Sequence, residues 1–298
     1  MCGIVGLYLK NKKLHPHLGE LFQPMMVEMS DRGPDSAGFA IFRRPTARGK
    51  TKFSLATLSE EIDWNTFIET LKTSFNQNFK LSRKKTFAIL IASIEPTVFH
   101  SWLLKNWPSI SLIGSGKCIE IFKKIGLPVD VCKEFKLKKI DGSHAIGHTR
   151  MATESAVNLQ GAHPFSSGLD LCLVHNGSLS NHNFLRRKLQ KDGIAFQTDN
   201  DTEVAAQYMS SKLRQGLSLQ KTLEEACSEI DGFFTFCVGT ENGFAVVRDA
   251  FSCKHAVLAE TNDWVAMGTE YRALAHLPGA ESARIWEPQP LKVYNWMG

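Results

Sequence analysis

Long apolar runs are missing from this 298-residue chain, and none approaches the about 18 residues that a membrane helix needs. The N-terminus also lacks a basic segment followed by an apolar stretch, so no secretory signal is expected and a cytoplasmic protein with no membrane contact is the default. No Cys-x-x-Cys pair occurs among the seven cysteines, which argues against a zinc ribbon or an iron–sulfur cluster held by this chain; no metal site is expected. Neither a Gly-x-Gly-x-x-Gly nor a P-loop pattern is present, so neither a dinucleotide nor a nucleoside triphosphate is expected as ligand. The net charge of +5 comes from short local clusters such as Arg83-Lys84-Lys85, and no basic stripe interleaved with aromatics supports nucleic-acid binding.

What is present begins at the first residues. Met1-Cys2-Gly3-Ile4-Val5-Gly6-Leu7 places a thiol directly behind the initiator methionine. Aminopeptidases that trim initiator methionine act before small residues, so the expected mature chain starts at Cys2. A terminal cysteine carries a nucleophile and, in its α-amine, a base that titrates near pH ~8. Gly3 leaves room beside it, and the apolar run from Ile4 predicts a buried strand that holds Cys2 still. The same residues also fit an ordinary first strand with a buried cysteine.

Further along, Leu18, Leu21, Phe22, Met25 and Met29 recur at helical spacing. The turn Asp31-Arg32-Gly33-Pro34-Asp35-Ser36-Ala37-Gly38 follows, read either as a salt-bridged corner or as the rim of a polar site. Residues from about 45 to 142 carry no recognisable chemistry, although Trp64, Phe67, Ile68, Leu71 and Phe75 share a helical face and 87–91 reads as a strand. A short apolar strand then runs into Arg150, whose planar fork suits a carboxylate. The strand 169–174 delivers His175-Asn176-Gly177. Asn176 and the backbone of Gly177 could supply the two donors of an oxyanion hole, or the pair could close a hairpin as an Asn-Gly turn. Helices are expected at about 181–192 and after Asp199-Asn200-Asp201-Thr202-Glu203, where carboxylates serve the helix dipole or hold an ammonium group. Four short strands between 232 and 268, joined by Gly-, Asn- or Asp-containing loops, suit antiparallel meander pairing. Strands and helices are grouped, which argues for an α+β class.

Each motif alone leaves both readings open. Their order, namely Cys2-Gly3-Ile4, Arg32-Gly33-Pro34-Asp35-Ser36-Ala37-Gly38, His148-Thr149-Arg150, His163-Pro164, His175-Asn176-Gly177 and Asp201-Thr202-Glu203, resembles the class II glutamine amidotransferase domain of the N-terminal-nucleophile hydrolases. The resemblance spans residues 2–298 apart from an insertion at about 45–142, and implies a four-layer αββα sandwich of two antiparallel sheets. It implies Cys2, Asn176 and Gly177 as catalytic, Arg150, Thr153 and Asp201 as binding L-glutamine, and Gly3, Arg32 and Asp35 as supporting the N-terminus. Met151 and Glu154 depart from better-known members, which carry an aromatic residue and often a histidine there. The run 148–155 looks closest to stand-alone subunits related to glutamate synthase, including the small subunit of N-methylglutamate synthase. The implied function is a glutaminase subunit that passes ammonia to a synthase-type partner subunit, the partner carrying any flavin or iron–sulfur centre; this chain itself is expected to hold no cofactor. No phosphoribosyltransferase, sugar isomerase or asparagine-forming domain is expected alongside it. Two rivals are a stand-alone amidohydrolase acting on another amide and a catalytically silent glutamine-binding subunit.

Overall fold

The computed structural model describes residues 2–57, 62–152 and 157–297. Strand β1 (Gly3–Leu9), helix α1 (Leu18–Glu28) and strand β2 (Ser36–Phe42) come first. Next are β3 (Thr51–Thr57), α2 (Trp64–Phe75), β4 (Lys80–Lys84), β5 (Phe87–Ala92), α3 (Pro96–Asn106) and β6 (Ile110–Gly116). The chain continues through β7 (Ile119–Ile125), α4 (Pro128–Glu134), β8 (His144–Arg150), β9 (Phe165–Ser166) and β10 (Cys172–Leu179). Helices α5 (His182–Lys191), α6 (Asp201–Arg214) and α7 (Leu219–Glu229) precede β11 (Gly232–Thr240) and β12 (Gly243–Arg248). Last come β13 (Val257–Glu260), β14 (Trp264–Gly268), β15 (Arg284–Trp286) and β16 (Tyr294–Met297). Among the described residues no helix is long and apolar enough to cross a membrane.

Seven strands in the order β15-β13-β14-β1-β8-β2-β7 form a large sheet, and five in the order β16-β12-β11-β10-β9 form a second. Their strands are apolar on both faces because each face meets a separate core. On β1, Val5, Leu7 and Leu9 point to the outer core with Phe22, Met25 and Met26 of α1, while Ile4 points inward to Ile146, Val174 and Val246 between the sheets. Period-two alternation thus survives as alternation between two cores. Helices α5, α6 and α7 cover the outer face of the second sheet through Leu185, Met209 and Leu223 against Phe234, Phe236 and Val247. The result is the αββα layering expected from the sequence.

The stretch 45–142 divides. Strands β4-β5-β3-β6 make a third sheet, covered by α2 and α3 over a core of its own in which Phe53, Phe67, Leu71, Leu90 and Phe99 are wholly buried. Helix α2 has local reasons to form there. Asp63 accepts from the Asn65 N–H at its start, Asn76 ends it at φ +47°, and Trp64, Phe67 and Leu71 line its buried face. Strand β7 and helix α4 rejoin the body: β7 pairs with β2, and Val131 and Cys132 pack into the core under α1.

Two local expectations change. Asn176 and Gly177 lie inside β10, opposite Thr235 and Phe234 of β11, so they close no hairpin; the strand runs on to Leu179. The C-terminal strands are not one meander, because β11–β12 and β13–β14 are hairpins in different sheets. Asp249 steers the change: its carboxylate accepts from the Phe234, Phe251 and Ser252 N–H groups at 2.9, 2.7 and 3.1 Å, folding the chain away from β12. Phe67→Ala would empty the core beneath the third sheet, and urea unfolding should register a loss of about 3–5 kcal/mol.

Candidate active site

Strand β1 is paired on both edges, with β8 (Gly3 opposite Thr149) and with β14 (Val5 opposite Gly268). The second ladder extends beyond β14, since the Ile4 N–H donates to Thr269 Oγ1 at 2.8 Å and the Thr269 N–H to the Ile4 carbonyl at 2.9 Å. Cys2 sits just before this clamped strand and is half-buried. At Gly3 a Cβ would lie 2.7 Å from Thr149 Oγ1 and 2.8 Å from Met29 Cβ, so any side chain would push the N-terminus out of place.

Three groups from distant parts of the chain meet at Cys2. Its carbonyl accepts from Asn176 Nδ2 at 3.2 Å and from Arg32 Nε at 3.3 Å. Its thiol is 3.7 Å from the carbonyl of Met151, a weak sulfur hydrogen bond. Met151 is held there by Asp35, whose N–H donates to the Arg150 carbonyl at 3.0 Å and whose Oδ2 accepts from the Ala152 N–H at 2.8 Å. The two residues flanking Met151 are therefore tied to one aspartate. Arg32 is tied in turn: Nη1 donates to Glu270 Oε1 at 2.5 Å, and Arg272 bridges Glu270 (2.8 Å) and Asp31 (3.3 Å). The hydrogen bond from Arg32 holds the Glu270 carboxyl below its usual range.

Gly177 follows Asn176 at φ +143°, a region closed to other residues, and a Cβ there would stand 1.7 Å from the Phe233 carbonyl. The backbone can take this shape only without a side chain. Arg150 ends β8 opposite Ser36 and is 5% exposed. Asp201 opens α6 and accepts from the Leu179 N–H at 2.9 Å, which ties the end of β10 to the start of the helix. Its neighbours work differently: the Asn200 amide oxygen caps the helix by accepting from the Thr202 N–H, while the Glu203 carboxylate accepts from the Gln197 and Thr198 N–H groups, both at 2.7 Å. Thr153 and Glu154 lie outside the described residues.

Sequence spacing offered no sign of a buried polar cluster behind this site. His148 and His163 stack with ring centroids 3.9 Å apart. The Thr202 hydroxyl is 2.9 Å from His163 Nε2 and 3.0 Å from His175 Nδ1, and His148 Nε2 donates to the His175 carbonyl at 3.0 Å. Asp201 Oδ1 is 3.8 Å from His175 Nδ1, linking the cluster to the helix start. Burial drives the His148 pKa down to about 3 and the His163 and His175 values below the ordinary imidazole range; the Asp201 carboxylate opposes the shift at His175. The Arg150 charge also disfavours protonation of His148 and His163, and of Lys123, whose buried ammonium falls to about 7 mainly by desolvation. Among the described residues no three His, Cys, Asp or Glu side chains are arranged to hold a metal ion. Thr269 and Glu270 were equally hidden, since Glu270 lies 238 positions from its partner Arg32.

These histidines are neutral when folded and protonate near pH ~6.5 when unfolded. Their folded pKa values are depressed, so stability is complete above pH ~6.5 and falls as the pH drops below it. Urea unfolding between pH 8 and 5 should show this loss, with a slope of up to about 1.4 kcal/mol per pH unit for each histidine. His163→Gln should lower the slope by one proton's worth.

A glutamine amidotransferase domain family matches residues 148–276. Over 99% of its length the chain is 51% identical to the glutamine amidotransferase-like protein GlxB of Rhizobium meliloti (strain 1021), covering 98% of that protein. It is 28% identical, over 99% of its length, to a putative glutamine amidotransferase of Methanothermobacter thermautotrophicus, covering all of it. Among solved structures, an allosteric regulatory enzyme of purine biosynthesis superposes with a TM-score of 0.63 at 20% identity, over 99% of this chain and 46% of the other. That likeness establishes the fold, and the chain spans about half the length of that enzyme. With a relative this similar along its whole length, the chain belongs to the glutamine amidotransferase family.

Proposed function

We propose that this chain is a glutaminase in which Cys2, freed of Met1, attacks the side-chain amide carbon of L-glutamine. The observation that carries the reading is the convergence of Asn176 and Arg32 on the Cys2 carbonyl, from a different sheet and a different turn, beside the clamped β1 strand. In this reading the α-amine takes the thiol proton as the carbon–sulfur bond forms. The Asn176 amide and the Gly177 N–H stabilise the tetrahedral oxyanion. The amine returns its proton to the departing nitrogen, releasing ammonia, and water then hydrolyses the γ-glutamyl thioester to glutamate and free thiol. Arg150, Thr153 and Asp201 are assigned to the substrate's α-carboxylate and α-ammonium. Arg32 and Asp35 position the N-terminus without touching substrate.

The ammonia is proposed to pass to a synthase-type partner subunit, which would hold any flavin or iron–sulfur centre. The motif order and the run 148–155 support this reading, as does the lack of any phosphate-cradling or dinucleotide motif with which this chain could bind an acceptor. A complex purified through this chain should then show the visible absorbance of such a centre and form aminated product from glutamine. A purified chain that brings no second subunit with it would count against the partner.

Intact mass after treatment with 6-diazo-5-oxo-norleucine tests the catalytic reading. A chain lacking Met1 should gain one adduct on Cys2, and Cys2→Ala should gain none. Retention of Met1 with no label would sink the proposal and favour a binding subunit. Asn176→Ala should lower kcat for glutamine hydrolysis by about 10²–10³ while the adduct still forms more slowly.

A further inference from the structure

The third sheet does not close fully on the body. Ser54 of β3 seals one side by accepting from the Ile121 N–H of β7 at 3.0 Å. Beneath β4 and β5 a cavity of about 230 Å³ remains. Its floor is apolar: Phe87 and Ile89 from β5, Phe122 from β7, and Ile140. Phe87, Phe122 and Ile140 are all buried, and Phe87 and Phe122 both pack against Phe135.

Charge is unevenly distributed over this floor. Glu120 is shared by Lys52 (3.0 Å) and Arg43 (3.3 Å), and Arg43 also pairs with Asp141. Lys84 lies 5.1 Å from the centre of the Phe122 ring and donates to the Phe135 carbonyl at 2.5 Å. Among the described residues it has no carboxylate within ion-pair distance, and nearby Glu134 is bound by Lys124 at 2.7 Å. Three cations, Arg43, Lys52 and Lys84, thus face two carboxylates, Glu120 and Asp141, which leaves one positive charge in excess. Exposed Lys80 adds another at the rim. Burial pulls the Lys84 pKa below the usual lysine value, with Arg43 and Lys136 acting in the same direction and Glu120 against. A half-buried cation without a counter-ion, over an aromatic floor, is stabilised by a bound anion that keeps its body on that floor.

We propose that the cleft between the third sheet and the large sheet binds a small organic monoanion, an aryl or short branched alkyl carboxylate, with its carboxylate at Lys84 and its apolar body against Phe87, Ile89 and Phe122. Glu120 in the lining disfavours a dianion such as a phosphate ester, and Lys84, the lysine over the floor with no ion-pair partner among the described residues, suits a single carboxylate. The site is independent of the glutaminase reading, because it shares no residue with the Cys2 constellation.

Calorimetric titration of the full chain with 1-naphthoate tests the proposal. One site per chain is expected, and neutral 1-naphthalenemethanol should bind about tenfold or more weakly, as loss of a hydrogen-bonded charge implies. Lys84→Met should weaken naphthoate by a similar factor, and Ile89→Trp should fill the cleft and abolish binding. Should either variant fold poorly, trace acetylation of the unmodified protein gives a separate reading: saturating naphthoate should slow labelling of Lys84 and leave exposed Lys50 unchanged. No naphthoate binding, equal binding of the neutral analogue, unchanged affinity in both variants, or undiminished labelling of Lys84 would each overturn the assignment.

Discussion

A strand that is hydrogen-bonded along both edges and packed on both faces cannot slide, tilt or fray without breaking two ladders and opening two cores. That is the situation of Gly3–Leu9, gripped by His144–Arg150 on one side and by the Trp264–Gly268 strand, extended through Thr269, on the other. Cys2 inherits its position from this clamp. Reactions that need a nucleophile within a fraction of an ångström of its target depend on such pre-organisation. Here the N-terminus, commonly the loosest part of a chain, is anchored in the middle of a seven-stranded sheet.

The site forms where the two main sheets face each other. Asn176 reaches from the second sheet to the Cys2 carbonyl on the first, so the packing of one sheet on the other sets the distance between Cys2 and this donor. Behind the site, three histidines stay neutral through burial; His163 and His175 meet the Thr202 hydroxyl, and His148 donates to the His175 carbonyl. Neutral, hydrogen-bonded polar groups can lie deep in a core at modest cost, whereas a charged cluster would need counter-ions there. Asp201, whose carboxylate reaches His175, spends one oxygen on the Leu179 N–H and so locks the start of its helix to the end of the strand that carries Asn176.

The third sheet answers a different constraint. Strand β7 is the last of the large sheet and would otherwise leave an exposed edge, a template for unwanted pairing. The third sheet covers it, with the Ser54 side chain taking one of its N–H groups and the Lys52–Glu120 pair beside it. Its helices and strands bury their own aromatic core, so it behaves as a module laid against the body. The cleft with surplus positive charge is where that fit is incomplete.

Legibility followed sequence distance. The spacing of Leu18, Phe22 and Met25 pointed to α1, and that of Trp64, Phe67 and Leu71 to α2, because helix periodicity is a local property. The apolar runs at β1, β2, β11 and β14 were equally plain, and the motif order carried the family and its layered fold. Asn176-Gly177 was ambiguous because the same dipeptide closes hairpins, and only pairing with Thr235 and Phe234 placed it inside a strand. The division of the C-terminal hairpins between two sheets, the third sheet, the Arg32–Glu270 tie and the histidine stack all join residues far apart in the chain. The sequence by itself determined the segments with a plain local period, such as α1, α2 and β1, which residues are candidates for chemistry, and the family to which the chain belongs. Tertiary structure alone decided which of those residues touch, because a contact between residues 2 and 176 or 32 and 270 depends on how sheets stack and leaves no periodic trace along the chain.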